Sequence, residues 1–211
     1  MANRIIVSGT VAENPEYSHE VFGEKFYRFF IDSKRISETV DRLPVMISEV
    51  MMKNVIAGER ITVDGEIRTF NQHTEEKSKL LIYVFAKRIE EYKGKDDNYV
   101  EMDGYICKKP IYRETPLGRE ITDVLVASQR GYRYGGKSDY IPTISWGRTA
   151  KRISESEIGE RLFIVGRLQS REFEKHLENG KTEKRIAYEI STNIIRNPDW
   201  RDDYSWMNSR K

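Results

Sequence analysis

Cysteine is nearly absent from this chain of 211 residues. The single thiol, Cys107, has no partner for an internal disulfide, which points toward a reducing, cytoplasmic setting. It reads as a small buried residue within a strand. Histidine is scarce too. His19, His73 and His176 stand far apart, none with a Cys, His or carboxylate at ligand spacing, so no zinc site is expected. With only 6 Pro and 14 Gly, the chain is neither collagen-like nor of low complexity. The longest apolar run, residues 80–86, is far short of the roughly 20 residues that cross a bilayer, so no membrane partner is expected. The start, MANRIIVSG, shows no secretory h-region. Neither sign of charge dominates: the net charge is +2, which excludes a uniformly basic nucleic-acid binder. A GxxxxGK[ST] loop, a strand–GxGxxG–helix unit and a Ser or Cys nucleophile motif are all missing. The expectation is a protein that is not an enzyme and needs no cofactor.

What is present is order. Aromatic residues make up 11% of the chain, too many for a disordered one. Gly9, Pro15, Tyr17, Gly23, Ser33 and Arg35 recur, 95 positions on, as Gly104, Pro110, Tyr112, Gly118, Ser128 and Arg130. Gly58 and Gly65 recur as Gly159 and Gly166 at an offset of 101, and Tyr83 and Ile89 as Tyr188 and Ile194 at 105. A duplication with longer loops in the second copy accounts for this. The units are residues 1–92, a charged linker at 93–97, a second copy at 98–197, and a polar tail at 198–211 holding Trp200 and Trp206.

Each copy reads as strands. In copy two they fall at about 99–107, 119–129, 139–146, 161–173 and 184–195; in copy one at about 3–12, 24–34, 43–49, 59–70 and 79–90. Leu162, Ile164 and Leu168 share one face, as do Ile61, Val63 and Ile67. A short helix at 149–157, or 49–57, precedes a glycine stop. Asn179-Gly180 is a hairpin turn between strands four and five. Five strands with a helix between the third and fourth is the order of the OB-fold. The fold class is therefore mainly β, as two tandem OB-folds.

The copies differ in charge and rings. Residues 1–97 carry 15 Lys+Arg against 17 Asp+Glu, and residues 98–197 carry 18 against 14, so a polyanion prefers copy two. There Tyr132 and Tyr134 sit in a loop with Arg130, Arg133 and Lys137. Tyr140 and Trp146 share a parity on strand three, followed by Arg148. Phe163, Arg167, Arg171 and Phe173 share the parity opposite to the core on strand four. Rings between guanidinium groups suit a single nucleic-acid strand, because cations neutralise phosphates and rings stack bases. Trp146 taken alone, with Ile144 on its parity, reads first as core. Strand three stays open because Ile141, Thr143 and Ser145 make a weak core face. Arg167 and Arg171 read equally as a solvated face.

The stretch Ile144-Ser145-Trp146-Gly147-Arg148-Thr149-Ala150, then Gly159-Glu160-Arg161, then residues 165–173, resembles the bacterial single-stranded DNA-binding protein family. So do Asp103-Gly104, Lys109-Pro110, Thr115-Pro116-Leu117-Gly118 and Val126-Ala127-Ser128. The resemblance covers about 98–195 and implies sequence-independent binding of single-stranded DNA. By motif, the family's stacking rings fall on Tyr132, Tyr140, Trp146 and Phe173; the matching positions in copy one are Ser37, Leu43, Ser48 and Gln72, none aromatic. The resemblance also implies a homodimer that assembles four barrels, a nucleoid location, and work in replication, recombination or repair. The family's acidic-hydrophobic tail tip has no match in Met207-Asn208-Ser209-Arg210-Lys211, which leaves recruitment of replication or recombination proteins in doubt. The rival reading is a tandem OB-fold interaction module, a primosomal or recombination accessory factor with weak DNA or RNA binding. The acidic, ring-poor copy one favours it.

Overall fold

The computed structural model describes residues 2–73, 78–130, 136–176, 180 and 182–196. Within these, the first copy runs β1 (Asn3–Val11), β2 (Glu16–Val21), β3 (Glu24–Lys34), β4 (Val40–Ser48), a 3₁₀ helix (Glu49–Asn54), β5 (Arg60–His73) and β6 (Ser78–Glu91). The second runs β7 (Asn98–Ile106), β8 (Ile111–Glu114), β9 (Glu120–Gln129), β10 (Ser138–Trp146), α1 (Gly147–Ser154), β11 (Arg161–His176) and β12 (Thr182–Arg196). The five strands expected in each copy are there. Each copy gains one more, β2 or β8, whose residues are almost all exposed and so carry no apolar alternation to announce them. The helical segment of copy one is 3₁₀ rather than α.

Each copy closes on itself as a small barrel. On one edge β1 stays paired with β5 and β7 with β11; on the other, β1 and β7 pair with each other over Asn3–Val7 and Asn98–Met102 and then part, β1 to β3 at Thr10 and Val11 and β7 to β9 at Tyr105 and Ile106. The parallel contacts β4–β6 and β10–β12 complete the circuits. The core is the inward parity of these strands: Val7, Ile31, Leu43, Val63 and Ile67 in one barrel, Met102, Val126, Ile141, Ile164 and Leu168 in the other.

The repeated glycines have two separate physical causes. Gly9, Gly104, Gly65 and Gly166 sit where strands pass too closely for any side chain. A Cβ there would come closer than 3.0 Å to the carbonyl oxygens of Asp32, Ala127, Phe85 and Ser191 respectively. Gly23 and Gly118, by contrast, end tight turns at φ +81° and +71°, where L residues are strained.

The barrels join in one continuous sheet through β1 and β7, which pair antiparallel with Ile5 opposite Val100. Ile5 and Val100 are themselves equivalent at the 95-residue offset, so a local two-fold axis passes between them. Outward from it the strand order reads β1-β5-β6-β4-β3-β2 on one side and β7-β11-β12-β10-β9-β8 on the other. The chain is in effect its own symmetric dimer.

Two buried aspartates clamp the junction in matching ways. Asp41, 0% exposed, accepts Arg35 Nε and Nη2 at 2.6 and 2.5 Å, and the Ser170 amide and hydroxyl of the other barrel at 2.8 and 3.2 Å. Asp139, also 0% exposed, accepts Arg130 Nε and Nη2 at 2.8 and 2.7 Å, and the Thr69 amide and hydroxyl at 2.6 and 3.3 Å.

Register corrects three of the repeat assignments. The ladders set Gly65 against Ala86 and Gly166 against Thr192, so the β6-to-β12 offset is 106. Tyr83 therefore matches Glu189, and Ile89 matches Ile195. Buried Leu43 matches buried Ile141, so the residue equivalent to Tyr140 is Arg42 rather than Leu43. Ile141, Thr143 and Ser145, a weak core face on composition, are indeed the inward face, at 0%, 2% and 0% exposure. Cys107 is half-buried and lies just past the end of β7, not inside a strand. Asn179, Trp200 and Trp206 lie outside the described residues.

Candidate nucleic-acid interface

On the outer parity of the second barrel, β8, β9, β10, β11 and β12 form one wall of a groove of about 520 Å³. Its floor is Ile121, Ile144 and Trp146; its sides are arginines, polar groups and one carboxylate, Glu189, which accepts Gln169 Nε2 at 2.9 Å. Trp146 ends β10 immediately before the turn at Gly147 (φ +59°) that starts α1, which holds the ring at the mouth of the barrel. Its Nε1 donates to Ser191 Oγ at 3.0 Å, which fixes the plane of the indole and leaves it half-buried. Trp146 is thus neither a core residue nor a free one.

Five guanidinium groups line this groove: Arg35, Arg113, Arg119, Arg167 and Arg171. Three have carboxylate partners. Arg35 is bound to Asp41, Arg113 to Asp123 at 2.6 Å, and Arg171 to Glu189 at 3.5 Å. Arg119 and Arg167 have no carboxylate within ion-pair reach among the described residues. Arg167 is half-buried between them, with only a long 3.4 Å bond to Gln169 Oε1. Burial, and then the neighbouring Arg35 charge, push its pKa below the ordinary arginine value, against a pull upward from Asp41. The Arg35 guanidinium is pushed the other way, chiefly by its hydrogen bonds to Asp41. A desolvated cation facing a second cation is a site prepared for an anion.

The residues read from the sequence fall into four groups. Trp146, Arg167 and Arg171 meet in the groove. Tyr140 is 46% exposed, six residues from Trp146 on the same face of β10, about 20 Å along the strand. Phe173 is half-buried with Arg171 stacked 5.7 Å from its ring, and Arg148 is exposed at the start of α1; these three lie beside the groove rather than in its lining. Arg130 is used internally: it holds Asp139 and donates to the Thr69 carbonyl at 3.0 Å, which makes it part of the barrel junction. Tyr132, Arg133 and Tyr134 lie outside the described residues.

Sequence reasoning missed Arg113 and Arg119, which flank the Thr115-Pro116-Leu117-Gly118 turn of the β8–β9 hairpin, because strand β8 was not read. It also missed Arg35, which comes from the other barrel. A signal for Arg35 existed in its recurrence as Arg130.

The same surface of the first barrel is built differently. At the positions of Arg113, Arg119, Trp146 and Arg167 stand His19, Glu24, Ser48 and Glu66. The space is filled by a stack of the barrel's own groups. Arg68 lies 3.6 Å over Phe85, Phe85 is 5.7 Å from Phe26, and Phe26 is 5.2 Å from His19. One barrel offers an open cationic groove with a ring; the other is plugged and edged with carboxylates. Among the described residues no group of three His, Cys, Asp or Glu could hold a metal ion, and no helix is long and apolar enough to cross a membrane.

Residues 97–196 match the model of the Single-strand binding protein family. Over 97% of its length the chain is similar to 98% of a deletion variant of the single-stranded DNA binding protein from Thermus aquaticus, with a TM-score of 0.70 and 17% identity. The wild-type protein of that organism gives 0.70 and 18% over 93% of both chains. No curated protein matches. At this identity the structural likeness establishes the fold, two OB-fold units in one chain.

Proposed function

We infer that this two-OB-fold chain, whose residues 97–196 match the single-strand binding protein family model, binds single-stranded DNA without catalysing a reaction, in replication, recombination or repair. The observation that carries the reading is the groove of the second barrel, where an oriented indole lies among five guanidinium groups, two of them without a carboxylate partner among the described residues. Bases stack on Trp146 and on the outlying rings Tyr140 and Phe173, while Arg113, Arg119, Arg167 and Arg171 take phosphates. Since any base has a flat face, the contact tolerates sequence. We divide the chain accordingly into a structural barrel (1–92), a connection (93–97), a binding barrel (98–197) and a tail (198–211).

We assign a second copy of the chain to the outer face of the central strands. There Tyr99 and Ile194, 36% and 38% exposed, stand near half-buried Ile6 and Val165. The local two-fold axis passes through this face, so two copies can meet on it symmetrically and assemble four barrels. Light scattering at twice the chain mass is the expected result.

The test of binding is anisotropy of a labelled oligo(dT) with the parent chain and Trp146→Ala. Loss of one stacking ring should weaken binding by about 1–3 kcal/mol, with the slope of log K against log salt little changed. A parent chain that ignores oligo(dT) at low salt would overturn the proposal. A second reading, a protein-docking module, is favoured by Glu24 and Glu66 in the plugged first barrel. It requires partners that survive nuclease treatment of a cell extract.

A further inference from the structure

The binding groove of the second barrel is not made by that barrel alone. Arg35 belongs to the first, in the tight connection between β3 and β4, where its amide and carbonyl bond Thr39 and Glu38 at 2.8 and 3.0 Å. Its guanidinium is held by both oxygens of buried Asp41 and reaches the carbonyl of Ser170 at 3.3 Å. Those bonds use Nε and Nη2 and leave the far edge of the fork to line the groove. Asp41 in turn carries four donors, three of them on Oδ1, and its pull on Arg167 is outweighed by burial and by the Arg35 charge. Arg167 comes to the same place from β11 and feels the Arg35 charge directly.

Resting on the reading of this groove as a single-stranded DNA site, we propose that Arg35 and Arg167 together hold one phosphodiester of the bound strand at the barrel junction, so that the first barrel supplies part of the second barrel's site. Arg35 spends its one carboxylate partner in the clamp and Arg167 has none within ion-pair reach among the described residues, so two guanidinium groups that repel each other line one groove and are at their best with an anion between them. The matching place on the other side of the two-fold axis shows why it occurs once. Arg130 has the same clamp, but the residue equivalent to Arg167 is Glu66, already bonded to Arg68 and Lys87. A phosphate there would meet a carboxylate. The first barrel thus contributes to binding through one side chain that crosses the junction.

The mirror pair makes the test internally controlled. Arg35→Lys and Arg130→Lys each keep a cation on their buried aspartate and each remove the guanidinium fork. Both should lower the melting temperature by similar amounts. Only Arg35→Lys should weaken oligo(dT) binding, by about 3- to 10-fold. Arg167→Gln should weaken it similarly and reduce the salt slope by about 0.7, one phosphate on a single strand. The double variant Arg35→Lys/Arg167→Gln should lose little beyond Arg167→Gln, because both groups serve one phosphate. Should the lysine variants fold poorly, ¹⁵N-arginine labelling of the parent chain gives the same answer. The Nε–H signals of Arg35 and Arg167 should move on adding oligo(dT), and that of Arg130 should not. Equal losses in the two lysine variants, multiplicative losses in the double variant, or an unmoved Arg35 signal would each overturn the shared site while leaving DNA binding by the parent intact. A parent chain that does not bind would remove the underlying reading and this site with it.

Discussion

Asp139→Asn exchanges one buried oxygen for an NH₂ group and should cost the protein about 3–5 kcal/mol. The figure follows from the donors around the carboxylate. Oδ1 receives Thr69 N at 2.6 Å, Thr69 Oγ1 at 3.3 Å and Arg130 Nη2 at 2.7 Å; Oδ2 receives Arg130 Nε at 2.8 Å. Asparagine can keep the first oxygen but turns a donor toward Arg130 Nε. A charge-assisted bond worth about 1.5–3 kcal/mol is lost. The Arg130 guanidinium, 13% exposed, is left without its counter-ion, and that desolvation makes up the rest. For a chain of this size each kcal/mol is about 2–4 °C in Tm, so the midpoint should fall by about 6–20 °C. Calorimetry on the full chain reads it. Asp41→Asn should behave in the same way, because its four donors correspond one for one. Removing both charges together, as Arg130→Met/Asp139→Leu, should recover only part of the loss, because the buried Thr69 amide then has no acceptor, at a cost of about 1–3 kcal/mol. A fall of less than about 2 °C for Asp139→Asn, or a large fall at one aspartate only, would refute the reasoning that two equivalent ionic clamps join the barrels.

Three other outcomes are expected. Gly65→Ala places a methyl group against the Phe85 carbonyl and should cost well over the roughly 1 kcal/mol expected for Gly94→Ala, whose φ of +87° is strained but whose surroundings are open; urea denaturation of the two variants side by side decides it, and equal costs would discard the close-approach account. Burial raises the pKa of Asp64, but hydrogen bonds from Arg4 and Arg88 and their charges outweigh it and hold the carboxyl below the usual aspartate range. The stabilisation this provides is therefore complete above the unfolded value of about 3.9 and lost as pH falls through the lower folded value; Asp64→Asn should flatten the acid limb of a stability–pH curve, and an unchanged limb would contradict it. Trp146→Phe keeps a ring but gives up the bond to Ser191 Oγ, so DNA affinity should stay within a few-fold of the parent while Trp146→Ala loses far more.

Sequence alone was enough for the duplication, the β class and most strand positions. Those depend on local rules: glycine wherever a Cβ cannot fit or φ is positive, and period-two alternation wherever one face is buried. Leu162, Ile164 and Leu168 lie inward as alternation requires. β2 and β8 escaped because a strand exposed on nearly every residue has no alternation to read. The offset of 105 between β6 and β12 was one residue short because both copies carry the same bulge, at Asp64/Gly65 and Val165/Gly166, and the extra length lies in the β11–β12 hairpin, which only the ladder register measures. Ring and arginine positions on β10 and β11 followed from parity, and parity brought Trp146, Arg167 and Arg171 to one face.

Which arginines serve the groove was a matter for tertiary structure. Arg35 and Arg130 are repeats of one another, in near-identical clamps, and nothing local distinguishes them. Arg35 lines an open cationic groove together with Arg167 from across the junction; on Arg130's side the position equivalent to Arg167 holds Glu66, and Arg130 serves the joint. Side-chain identity and strand parity are properties of the chain read in order, whereas the partner a guanidinium finds across a two-fold junction, 135 positions away for Arg35 and Ser170, exists only once both barrels have closed and docked.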